Sequence, residues 1–103
     1  MKNLPNISLE QSMNNKIILE SLASDLKRVA LGLHRGSDNM ARRFLAEALR
    51  RKSEIELETV SPYIRKLLIR LNKNIDAEDA LMYSTLIQNY AQHRKSDFKD
   101  LFG

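Results

Sequence analysis

The chain has 103 residues, with 17 Lys+Arg against 13 Asp+Glu for a formal net charge of +4, and 43% of it is hydrophobic. That length suits a single domain, here residues 1–103, and roughly 65% of the unfolded surface can be buried at this size, so a small core needs no staples. The absence of cysteine excludes a disulfide frame, a thiolate zinc site and a cysteine nucleophile.

No apolar run approaches the roughly 20 residues that span a bilayer; the longest are Ile17-Ile18-Leu19 and Leu67-Leu68-Ile69. The opening Met1-Lys2-Asn3-Leu4-Pro5 lacks the apolar stretch of a signal peptide. No membrane and a cytoplasmic location are therefore expected. Two prolines and three glycines, among abundant Leu, Ala, Glu, Lys and Arg, favour helix.

Four helical segments follow in order. Leu19, Leu22, Leu26, Val29 and Leu33 recur at steps of three and four and form one stripe. Ser8 with Gln11 makes a capping box before them, and Gly36 after His34-Arg35 reads as the stop. The first helix then runs from Leu9 to His34. Ser37 or Asp38 caps a second helix that buries Ala41, Phe44, Leu45, Ala48 and Leu49 and extends toward Ile55. Residues 53–60 join it to the third, and the pattern does not decide whether they are helical. Ser61-Pro62 is an N-cap followed by proline at the first helical position, where the missing N–H is harmless. The third helix should bury Tyr63, Ile64, Leu67, Leu68 and Leu71 and end at Asn72 to Asn74. Asp76 caps the fourth, with Asp79 three residues on and Ile75 placed to staple against Ala80. Its buried face is Ala80, Tyr83, Ile87, Tyr90 and Ala91. Residues 1–8 and 96–103 are read as tails, the second carrying Phe98, Leu101 and Phe102.

No segment alternates with period two, and the first and third links are short. Short links make sequential helices antiparallel neighbours, so the expected fold is all-α, an up-down-up-down antiparallel four-helix bundle. The first helix outlasts the third, so one end should overhang or meet a partner.

Little chemistry can be read from the polar residues. His34 and His93 each sit near a helix C-terminus, where carbonyls and the negative dipole end suit them. They lie at opposite poles of an up-down bundle and cannot share a metal, and the Glu-x-x-His pairs of di-iron bundles are missing. There is no Gly-x-Ser-x-Gly elbow and no glycine-rich phosphate loop. Arg35-Gly36-Ser37 is similar to the Lys-Gly pair and following Ser of histidine phosphotransfer domains. The residue three before Arg35 is Gly32, not histidine, so that transfer has no nucleophile here. No enzyme, no metal and no cofactor are expected. Tyr63, Tyr83 and Tyr90 are left as the hydroxyls that an internal ligand site would use, although inward tyrosines usually serve the core.

Basic residues concentrate in the middle: 12 Lys/Arg against five Asp/Glu between Lys27 and Lys73. Arg42, Arg43, Arg50 and Arg51, with Lys52, are the densest cluster, and a nucleic-acid-associated module holding phosphates through these arginines is one possible function. Acidic residues interrupt it, with Arg43–Glu47, Glu47–Arg51 and Arg50–Glu54 all at i,i+4. No aromatic residue is expected among these arginines to stack on a base, and the second and third helices stand too far apart for a helix-turn-helix.

The sharper signal is apolar residues off the core stripes. Leu9, Met13 and Ile17 sit at about 0°, 40° and 80° on a helical wheel, while the Leu19–Leu33 stripe centres near about 250°. Gln11, Ser12 and Asn15 take the stripe direction at this end. Either the helix breaks near Asn14-Asn15 or its first turns present a different face. Ile69 lies opposite the core face of the third helix, and Met82 and Leu86 make a second row on the fourth. Burying about four such side chains contributes roughly 6–12 kcal/mol gross before association costs. The leading expectation is a non-catalytic protein that acts through protein–protein contact with itself or another helical protein, using Leu9, Met13, Ile17, Ile69, Met82 and Leu86.

Overall fold

The computed structural model describes residues 9–92. The Ser8 half of the first capping box, His93 and both tails, with Phe98, Leu101 and Phe102, lie outside the described residues. So do the side chains of Leu9, Gln11 and Ser12.

The described chain is all-helical. It forms α1 (Leu9–Arg35), α2 (Asp38–Ser53), a 3-10 turn (Leu57–Thr59), α3 (Pro62–Arg70) and α4 (Ala77–Gln92). The stop and start signals act as their chemistry requires. Gly36 takes φ 76°, the left-handed conformation that favours glycine, and ends α1. The Ser61 hydroxyl accepts from the Ile64 N–H at 3.3 Å with Pro62 at the first position of α3. The Asp76 carboxylate accepts from the Asp79 N–H at 2.8 Å ahead of α4. Ser37 precedes α2 without a side-chain cap bond.

α1 is the element on which α2 and α4 both pack. Along α2 the partners retreat down α1: Ala41 lies against Gly32, Arg51 bonds Asp25, and beyond the helix Thr59 meets Asn15. Along α4, Ala80 joins Val29 and Ala30, and the Ser84 hydroxyl donates to the Ala23 carbonyl at 2.7 Å. Both helices thus pack along the length of α1. The principal core gathers Leu19, Leu22 and Leu26 with Ile64, Leu68, Leu71 and Ile87; a smaller cluster at the other end holds Val29, Ala30 and Ala80.

α1 does not break at Asn14-Asn15. Asn15 is buried on the core stripe, and its amide donates to the Thr59 hydroxyl at 2.8 Å. That hydroxyl in turn donates to the Glu56 carbonyl at 2.6 Å. A polar residue can occupy the stripe because the 3-10 turn supplies a partner at that level.

Two other expectations change. Tyr63 is exposed rather than buried, because the inward face of the nine-residue α3 is filled by Ile64, Leu67 and Leu68. Leu86 is half-buried and packs on the core, so it is not a fully free side chain of α4.

α3 is short, and side chains from other elements hold it. Lys52 donates to the Leu71 carbonyl at 2.7 Å, and the Tyr90 hydroxyl accepts from the Ser61 N–H at 3.1 Å. Arg65 donates back to the carbonyls of Leu57 and Val60. Burial lowers the Lys52 pKa from its ordinary value, the sign of an ammonium taken partly out of water.

α1 and α2 approach closely at Gly32. A Cβ there would come within 2.9 Å of the Ala41 backbone nitrogen. Helix propensity alone makes Gly32→Ala stabilising by up to about 1 kcal/mol, whereas forcing α2 away costs about 1–3 kcal/mol. Urea denaturation should show net destabilisation; an unchanged or raised midpoint would mean the α1–α2 contact is not this tight.

Candidate functional site

Of the residues expected on a contact surface, Met13 is 57% exposed, Ile17 61%, Ile69 59% and Met82 47%. They do not form one patch. Met13 and Ile17 lie on the outward face of α1. Ile69 is on the outer side of α3, opposite Ile64, Leu68 and Leu71. Met82 is on the flank of α4, one residue after Leu81.

Sequence reasoning missed two members. Leu31 and Leu81 are also exposed. Leu31 sits at about 40° on the same wheel, the direction of Met13, so its signal was present in the spacing. Leu81 had none, because only its neighbour across the helix pair gives it meaning. Together they border a groove of about 440 Å³ between the second half of α1 and the start of α4. Ala30 and Ala77 form its inner wall, and Lys27, His34 and Glu78 stand at its edges. Small residues create the groove, since longer side chains at Ala30 or Ala77 would fill it.

The arginines of α2 are largely engaged within the fold. Arg51 Nε donates to Asp25 at 2.8 Å, and the Asp25 side chain is only 8% exposed. Arg50 donates to Glu47 at 2.7 Å and to Glu54 at 3.0 Å. The hydrogen bond from Arg50, aided by its charge, holds the Glu47 pKa below its ordinary value. Arg43 does not pair with Glu47 as its spacing suggested. Its guanidinium lies 5.7 Å from the centre of the Phe44 ring, and that of Arg28 lies 5.3 Å from the same centre. An aromatic residue thus does lie among these arginines, half-buried at the α1–α2 seam where cations can cover it. Arg42 alone of the four makes no ion pair, side-chain hydrogen bond or ring contact among the described residues. It stands beside a smaller hollow of about 130 Å³ shared with Asp38 and Lys73.

Among the described residues no group of three or more His, Cys, Asp or Glu side chains is placed to hold a metal. No helix among them is long and apolar enough to cross a membrane. Comparison with protein-family models, with curated proteins and with solved structures returns no match.

The division of labour among the arginines is measurable. Arg51→Ala removes the hydrogen-bonded partner of the buried Asp25, leaving only the looser Arg28 at 3.8 Å, and should lower unfolding stability by about 2 kcal/mol. Arg42→Ala should change it by less than about 0.5 kcal/mol. Equal effects of the two substitutions in denaturant titrations would contradict this assignment.

Proposed function

We propose that this chain is a non-catalytic helical-bundle protein that works through protein–protein contact and associates with copies of itself. The observation that carries this is the outward face of α1, where Met13, Ile17 and Leu31 stand exposed although the opposite face of the same helix is fully packed. A single exposed leucine on a small protein is ordinary. Three large apolar side chains at about 40–80° on one helix, beside an apolar groove, are the pattern of a surface covered in use. We take the helices as an up-down bundle in which α3 is cut short, leaving the long α1 with more apolar surface than one subunit covers.

The nucleic-acid alternative draws less support. Arg50 and Arg51 are committed to carboxylates and Arg43 to Phe44. Phosphate binding through α2 would have to break these contacts or rely on Arg42 alone.

Self-association predicts a species larger than the monomer by light scattering at tens of micromolar. Ile17→Glu together with Met13→Glu should shift it toward the monomer without loss of helicity by circular dichroism. A wild-type monomer at that concentration, or binding to RNA or duplex DNA that weakens steeply with salt above about 50 mM, would contradict the proposal.

A further inference from the structure

The groove between α1 and α4 has rims that suit its own inner wall. The wall is alanine, with Ala30 buried and Ala77 half-buried, while the rims carry the exposed Leu31 and Leu81. Leucine knobs beside alanine-walled hollows are the elements of helix-to-helix interlocking. The two edges also differ in charge. Lys27 belongs to the α1 edge and Glu78 to the α4 edge, and neither is ion-paired among the described residues.

We infer that a second copy of the chain docks in this groove, with α1 of each copy lying over α4 of the other about a twofold axis that runs along the groove. This rests on the self-association proposed above and specifies its surface. Two in-plane twofold axes keep the helices of the two copies aligned with one another. An axis across the groove lays α1 on α1 and sets Lys27 and His34 against the same residues of the partner. The axis along the groove brings Lys27 to the acidic edge, near the partner's Glu78. It also lets Leu31 and Leu81 enter the partner's hollow while theirs enter this one. Charge complementarity therefore selects the orientation.

The contact extends beyond the groove itself. α4 has 16 residues and is about 24 Å long. Ile17 lies about 21 Å along α1 from Leu31, within about 40° of its direction. A partner α4 laid along α1 covers both. Met82, about 100° around α4 from Leu81, and Ile69 on α3 stay outside the contact.

Sedimentation velocity over a concentration series tests this. Leu31→Glu and Leu81→Glu should each raise the dimer dissociation constant more than about tenfold, whereas Met82→Glu and Ile69→Glu should change it less than about threefold. Lys27→Glu and Glu78→Lys should each weaken the dimer, and the double reversal should recover most of the loss. These exposed positions leave folding intact, which thermal melts of each variant check. A dimer that survives both leucine variants but yields to Met82→Glu overturns the groove assignment and leaves self-association standing at another face. A double reversal without recovery overturns the orientation. A wild-type chain that stays monomeric throughout overturns the inference together with the proposal beneath it.

Discussion

The close approach of two helices to one shared helix governs this structure. α1 meets α2 where Gly32 lies under the Ala41 backbone, and it meets α4 where Ala30 joins Ala80 and Ala23 receives the Ser84 hydroxyl. Small residues at these points let the backbones come close enough for Leu19, Leu22 and Leu26 to interlock with side chains from α3 and α4. With α2 and α4 gripping opposite flanks, the packed side of α1 is complete. Its outward side is left to Met13, Ile17 and Leu31, so the geometry that makes the core also determines which surface remains.

Polar contacts then fix the register that apolar packing leaves loose. Asn15 with Thr59, Asp25 with Arg51 and Lys52 with the Leu71 carbonyl each tie elements far apart in sequence. Among the described residues the four buried polar ones, Asn15, Asp25, Thr59 and Ser84, each have a partner, as burial demands. One consequence is electrostatic. The basic middle of the chain reads as a concentrated positive surface in one dimension, but Arg50 pairs with Glu47 and Glu54 along α2, and Arg51 turns to Asp25 once α2 packs on α1.

Local signals were legible because they act over a few residues. Gly36, Ser61-Pro62 and Asp76 mark helix ends through bonds that span three or four positions, and the Leu19–Leu33 stripe announces its own face. Pairings across the fold left no such trace. Asp25 and Arg51 are 26 residues apart and Asn15 and Thr59 are 44 apart, so neither a buried asparagine on the apolar stripe nor the structural role of Arg51 followed from spacing. Tyr63 was misplaced because a nine-residue helix has too little inward surface for every apolar residue it carries. Of the surface, Met13, Ile17, Ile69 and Met82 were legible as residues off the stripe. The groove was not, since it exists only between α1 and α4 and depends on alanines that no pattern singles out.

The central claim is that the outward side of α1, together with the start of α4, is covered by another copy of the chain while the core beneath is indifferent to it. Methyl NMR on a dilution series examines this at the residues concerned. The leucine methyl resonances of Leu31 and Leu81 should move with protein concentration, while those of the buried Leu22 and Leu68 hold still. Signals from all four that stay fixed from the most dilute to the most concentrated sample would contradict it.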